Sequence, residues 1–159
     1  LATVGGSIYS RFGFSDVLTM FLALNASVEL YKGGVVPLTE YAQRPYDRDI
    51  LVRVLVPKEN ARFVYQSVRN SQTDFPVLTC AAAKLADGSI RAAIGARPGK
   101  AVLYTAAPEA GETAEEFAAR FAAEVKADIK TESNLRGGAE YRRHLAGVLT
   151  KRAVCRLEG

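Results

Sequence analysis

Ala86-Asp87-Gly88 lies between two apolar runs, Pro76 to Leu85 and Ser89 to Ala96. Asp-Gly tolerates the positive φ angles of a tight hairpin turn, so the flanking runs are expected to fold back on each other as antiparallel strands. No other feature constrains the fold as much. It places antiparallel sheet in the middle of the chain, and the rest must pack on that sheet. Arg62 to Arg69 reads as a strand before the hairpin. The Arg97-Pro98-Gly99-Lys100 turn leads into a short strand, Ala101 to Tyr104, after it.

The first third of the chain reads differently. Leu1 to Ser15 suggests a strand, a Gly-rich turn and a loop. Asp16 is placed to cap a helix. Val17, Leu18, Met20, Phe21, Leu22 and Leu24 then put apolar groups on nearly every side, so that helix must be buried on most faces. Ala26 to Tyr31 alternates, Lys32-Gly33-Gly34 turns and Val35 to Leu38 returns, which predicts a second hairpin. After a polar loop, Arg44 to Arg48, the residues Ile50, Val52, Val54 and Val56 alternate with Leu51, Arg53 and Leu55. That pattern predicts a strand buried on much of both faces. Polar Lys58-Glu59-Asn60 marks a boundary, dividing the chain into 1–57 and 58–159.

The last third is helical. Thr113 and Glu116 fit a capping box. Phe117, Phe121, Val125 and Ile129 recur every four residues on one face. Gly137-Gly138 breaks the chain. Tyr141, Leu145, Val148, Leu149 and Arg152 then define a final amphipathic helix, with Arg142, Arg143 and Lys151 as polar positions. Strands followed by helices imply an α+β fold with antiparallel sheet.

Composition excludes several classes. At 159 residues, 48% of them apolar, the chain can bury a core without staples. Cys80 and Cys155 are too far apart in sequence to form a close-spaced pair and read as reduced thiols of a cytoplasmic protein. The longest apolar stretch, Val17 to Leu24, is too short to span a bilayer. The net charge of +4 is modest and its cations are spread along the chain, so a solvated helix face explains them better than nucleic acid does. The chain opens on Leu1 with a Gly-Gly run between apolar flanks, which suggests a fragment or a processed product. The lone His144 sits among basic residues and reads as a surface group. No clustered Cys and His suit a metal.

Gly5-Gly6 is the one candidate binding feature. Two glycines permit φ > 0 and close approach of a ligand to the main chain. Their N–H groups can cradle a polar group, with Ser7 adding a hydroxyl. Asp16 could accept a hydrogen bond from a hydroxyl or a ring N–H. An ordinary tight turn remains the alternative.

Four segments in order resemble one family. They are Thr3-Val4-Gly5-Gly6-Ser7-Ile8 with Asp16, Asp49-Ile50-Leu51-Val52 ending at Pro57, Tyr65 to Arg69 leading to Asp74-Phe75-Pro76-Val77, and Ser133 to Arg142 running on to Arg152-Ala153. Together they are similar to the FAD-binding subunits of molybdopterin dehydrogenases, such as xanthine dehydrogenase and carbon monoxide dehydrogenase. The resemblance implies that 1–57 is the end of the second FAD subdomain and that 58–159 is a C-terminal domain with a small antiparallel sheet and helices. It implies FAD contacts at Thr3, Gly5, Gly6, Ser7, Asp16, Ile50 and Leu51, no catalytic acid or base, and no metal. It also implies partners carrying the molybdenum cofactor and iron–sulfur clusters, with electrons passed on to NAD or another acceptor. Two positions depart from the family pattern. Ser7 stands where Asn or Asp is usual, and Ser67 where a lysine is common, so a positive charge near the flavin is missing. The family's Gly-rich pyrophosphate loop would precede Leu1, so these residues alone are expected to bind FAD weakly or not at all. The alternative reading is a non-catalytic, truncated module for subunit assembly.

Overall fold

The computed structural model describes residues 2–58 and 61–158. The expected boundary at Lys58-Glu59-Asn60 therefore lies partly outside the described residues. The elements run α1 (Val4–Tyr9), α2 (Asp16–Ala23), β1 (Ser27–Leu30), β2 (Gly34–Pro37), α3 (Leu38–Tyr41) and β3 (Leu51–Leu55). They continue with β4 (Arg62–Val68), β5 (Leu78–Lys84), β6 (Ile90–Gly95), β7 (Val102–Ala106), α4 (Ala114–Asp128) and α5 (Ala139–Glu158). The fold is α+β. One antiparallel sheet has the order β2-β1-β3 and the other β4-β5-β6-β7.

The Asp87-Gly88 hairpin forms as expected, with Lys84 opposite Ile90 and Gly88 at φ +83°. Its strands are buried on both faces because layers cover each side. On one side Leu78, Cys80, Ala82, Ile90, Ala92 and Ile94 meet α4 and α5. On the other Ala81, Ala83 and Ala93 meet α2 and the first sheet. Alanine is a poor intrinsic strand former. Its small side chain, however, lets elements approach both faces closely, and burial outweighs the propensity.

Glycine makes the closest approach possible. A Cβ on Gly95 would lie 2.5 Å from the hydroxyls of Thr19 and Thr79, and one on Gly13 would lie 1.8 Å from the Gly99 carbonyl oxygen. Between them the Ala96 N–H donates to the Gly13 carbonyl at 2.6 Å. This seam seats the 11–15 segment on the end of β6. The far end of α2 is held by Arg91, which donates to Asn25 and to the Leu22 carbonyl.

Helix α4 behaves as its pattern predicts. Thr113 accepts from the Glu116 N–H, and the Glu116 carboxylate accepts from the Thr113 N–H, so the capping box is complete. Phe117, Phe121, Val125 and Ile129 are all buried, each worth about 1.5–3 kcal/mol of apolar transfer.

Four expectations are corrected. Residues 4–9 form a helix rather than a strand and turn, because Thr3 caps it and Ile8 anchors it in the core. Ser15, not Asp16, is the N-cap of α2; its hydroxyl accepts from the Leu18 N–H, and Asp16 is the first helical residue. β3 is largely exposed rather than buried on both faces, because it is an edge strand with β1 on one side only. On α5, Tyr141 and Arg152 face solvent while Arg142 is buried completely. The helix turns its Arg142-Leu145-Leu149-Ala153 line to the sheet and α4, so it is rotated away from the face that carries Tyr141 and Arg152.

Candidate functional site

Helix α1 stands as a ridge between two clefts. Thr3, Gly6, Ser7 and Asp16 line the first, of about 560 Å³. Gly5, Gly6, Ile50 and Leu51 line the second, of about 390 Å³. All seven residues singled out from the sequence thus border one or the other, and Gly6 borders both. Phe12, Phe14 and Phe75 complete the wall of the first cleft.

The glycines serve here in a way the sequence did not suggest. Neither adopts a positive φ. A Cβ on Gly5 would meet nothing within 4 Å, so its absence keeps the helix surface open to the second cleft. A Cβ on Gly6 would come within 3.0 Å of the Thr3 hydroxyl oxygen, which accepts the Gly6 N–H at 3.0 Å. Thr3 therefore spends its hydroxyl on capping α1. Ser7 keeps its hydroxyl at the wall of the first cleft.

Both oxygens of Asp16 are engaged from β4 and its end. The Tyr65 hydroxyl donates to Oδ1 at 2.5 Å and the Arg69 guanidinium donates to Oδ2 at 2.6 Å. Burial and the Asp16 carboxylate together push the Tyr65 phenol well above its ordinary pKa, so it stays a donor. A carboxylate oxygen has two acceptor sites, which leaves Asp16 one on each oxygen for a ligand. Arg69 also donates to the Asp74 carbonyl, and the Asp74 carboxylate pairs with Arg136 at 2.8 Å. The Arg136 guanidinium and the Phe75 N–H hold the Asp74 carboxyl below its usual range. The sequence pointed to a missing cation at Ser67. Two residues further on, the Arg69 guanidinium is bound to Asp16 and lines neither cleft.

Beside the second cleft, a latch ties the residues at the end of α1 to the 41–47 segment. Arg11, at φ +52°, buries its guanidinium 4.0 Å over the Tyr41 ring. It donates to the Pro45 carbonyl and to Asp47 Oδ2, each at 3.0 Å. The Tyr9 hydroxyl donates to the Asp47 carbonyl. Asp49 gathers the Lys32, Gly33 and Ile50 amides, and those bonds hold its carboxyl below the usual range. Asp47 and Asp49 are thus committed to partners within the chain. Among the described residues no group of three or more His, Cys, Asp or Glu could hold a metal, and no helix is long and apolar enough to cross a membrane.

An aromatic ladder was not foreseen. Phe12 stacks on Phe14 at 5.0 Å, Phe14 meets Phe75 at 4.6 Å, and the Arg136 guanidinium lies 5.2 Å from the Phe75 ring. Arg11-Phe12-Gly13-Phe14 was a visible signal, but Phe75 joins it only through the fold. Beyond Phe14 and Phe75 a third cleft of about 270 Å³ runs to Pro98, Asn134 and Arg136.

A family model described as the CO dehydrogenase flavoprotein C-terminal domain matches residues 63–157, well over half of the chain. The chain belongs to this family. A second model, the FAD binding domain in molybdopterin dehydrogenase, matches residues 1–59. Among curated proteins, the uncharacterized protein YgfM of Escherichia coli K12 is 26% identical over 148 residues, which cover 93% of this chain and 55% of that protein. The chain thus spans about half the length of the curated relative it matches. Quinoline 2-oxidoreductase from Pseudomonas putida 86 superposes with a TM-score of 0.79 at 20% identity, over 99% of this chain and 60% of that one. Carbon monoxide dehydrogenase from Hydrogenophaga pseudoflava, in a form lacking the Mo-pyranopterin moiety, gives 0.81 at 23% identity over 98% and 60%. These two likenesses establish the fold.

Proposed function

We propose that this chain is the flavin-holding part of an electron-transferring subunit in a molybdenum hydroxylase, with FAD across the α1 ridge. The observation that carries this reading is that Thr3, Gly5, Gly6, Ser7, Asp16, Ile50 and Leu51 border two clefts meeting at Gly6. FAD would supply the redox chemistry. The chain's own residues would bind and orient it. The Ser7 hydroxyl offers a donor or acceptor and Asp16 accepts from a hydroxyl or amide. The open face at Gly5 and the apolar edge at Ile50 and Leu51 border a ring system. The lack of a catalytic acid or base suits such a role, because the protein then positions the cofactor rather than reacting itself. The fit is partial. About two fifths of the length of the structural relatives lies outside the matched region, and a dinucleotide site needs a phosphate cradle for much of its affinity. The 159 residues alone are therefore expected to hold FAD weakly.

The family suggests partners that carry the molybdenum cofactor and iron–sulfur clusters, a cytoplasmic location, and NAD or another acceptor. The same reading divides the chain into 1–57, the end of the second FAD subdomain, and 58–159, the C-terminal domain. A second reading, an assembly module that does not itself hold FAD, is favoured by the exposed apolar residues Ile50, Val52, Leu55 and Val56 on and beside the edge strand β3. Such side chains invite a covering surface.

Gly5→Val separates the two readings. The new Cβ meets no protein atom within 4 Å, and Gly5 borders the second cleft. FAD titrated into the chain should bind at least tenfold more weakly, with unfolding midpoints little changed. Unchanged FAD affinity would remove the α1 ridge from the site, and no binding at millimolar FAD by the unaltered chain would favour the assembly reading.

A further inference from the structure

We infer that the outer trough along α4 and α5 is a docking surface for an acidic, amphipathic helix of a partner protein. The inference is independent of the FAD reading, because this face shares no residue with the clefts beside α1. It rests on two adjoining hollows and on the charge around them.

The hollows form one trough. The first, of about 200 Å³, lies between the helices, with Ala122, Ala123 and Lys126 on α4 and His144, Gly147 and Val148 on α5. The second, of about 320 Å³, continues along α5 to Cys155 and Arg156. Val148 and Lys151 line both, so the two join. The floor is made of alanine methyl groups, Val148 and the apolar stems of long cationic side chains, whose charged heads reach water at the rim. Those cations are Lys126, Lys151, Arg152 and Arg156, all exposed, and no acid lines the trough. Of the four, only Lys151 has an ion-pair partner among the described residues, Glu115 at 3.9 Å with its side chain 85% exposed. They equal in number the chain's net charge of +4, so the remaining charges of the chain cancel and its positive excess is gathered here. An apolar floor inside a polar rim is the anatomy of a protein interface. On an amphipathic helix, apolar side chains three or four residues apart share one face and can enter the trough, while flanking carboxylates meet the rim. A nucleic acid fits less well, because no aromatic ring lines the trough for a base to stack on. A membrane is bound by bulky apolar groups that protrude into it, whereas this face offers a hollow.

The test titrates the full chain with a fluorescent synthetic helix of about five turns, leucine on one face and glutamate on its flanks. A second peptide carries glutamine in place of every glutamate, and a third carries lysine there. The glutamate peptide should bind, and binding should weaken as salt is raised. The glutamine peptide should bind about tenfold more weakly, and so should the glutamate peptide to the double variant Lys151→Glu, Arg152→Glu. The lysine peptide should bind that variant more tightly than it binds the parent, a rescue that misfolding could not produce. Occupancy of the trough is read separately in the unaltered chain. Cys155 lies in the trough and is exposed, whereas Cys80 is buried, so saturating glutamate peptide should slow thiol labelling about fivefold or more by covering that one site. No binding by the glutamate peptide, equal binding by the glutamine peptide, or unslowed labelling of Cys155 overturns the proposal. Tighter binding of single-stranded DNA or of phosphatidylserine vesicles, with Cys155 protected, assigns the trough to that partner instead and overturns it too. So does sedimentation showing a dimer that the double variant loses, because the occupant is then a second copy of this chain.

Discussion

A guanidinium shut away from water needs an oxygen for each of its N–H groups. Arg142, fully buried on α5, donates to the Val77, Glu132 and Gly137 carbonyls and to Asn134 Oδ1. These bonds tie Val77, ahead of β5, and the 132–138 turn to one side chain. Arg142→Met keeps the apolar stem but strands the buried Val77 carbonyl and releases the 132–138 turn. It should cost about 1–3 kcal/mol in urea unfolding, the cost of one buried group left without a partner. Arg143→Met, one residue on and exposed, should change stability by less than about 0.5 kcal/mol. Equal effects at the two positions would refute the buried role. Nothing in the local pattern separates Arg142 from Arg143. Only the docking angle of α5 decides which of them meets the sheet.

At the level of elements, helix α4 shows how local and long-range information divide. Its start was readable because the capping box needs only residues three apart. Thr113→Ala should cost about 1 kcal/mol in thermal or urea unfolding. The Arg120 clamp was not readable. Its guanidinium takes Glu112 at 2.8 Å, Glu124 at 3.0 Å and the Ala107 carbonyl at 3.0 Å, which joins the helix to the loop before it. The Arg120 bonds are the largest cause that brings the Glu112 carboxyl down to about 2 from 4.5. A carboxyl depressed in the folded state stabilises fully above its unfolded pKa, and that contribution is lost as pH falls through the folded value. Stability should therefore fall with acid between about pH 4.5 and pH 2, and Glu112→Gln should flatten that part of the profile. An identical acid limb in the variant would show that the clamp does not hold in solution. β3 illustrates the reverse case. Its alternation announced a strand, but its burial depended on how many neighbours the sheet gave it.

Across the whole molecule, burial sorts chemically similar groups into different fates. Cys80 lies between the central sheet and the helices, and burial pushes its thiol up to about 12. Cys155 is exposed on α5. A thiol reagent at neutral pH should label one cysteine rapidly and the second only when the chain unfolds, because the thiolate is the reactive form. Labelling of the native protein followed by peptide mapping tests this. Modification of Cys80 at the rate of Cys155 would mean that the layers open without unfolding.

The sequence by itself determined the strands, both hairpins, the capped helix, the α+β class and the membership of the family, because turns, caps and periodicity are local and the four motifs are ordered along the chain. It also named seven residues that do border the clefts. The tertiary structure alone decided that α1 is a helix, that Phe75 joins Phe12 and Phe14, and that Arg69 binds Asp16. It also decided that Arg142 is buried. The Phe75 and Arg69 contacts join residues about 50 or more apart, α1 needs Ile8 seated in the core as well as its local cap, and Arg142 depends on which face α5 turns inward.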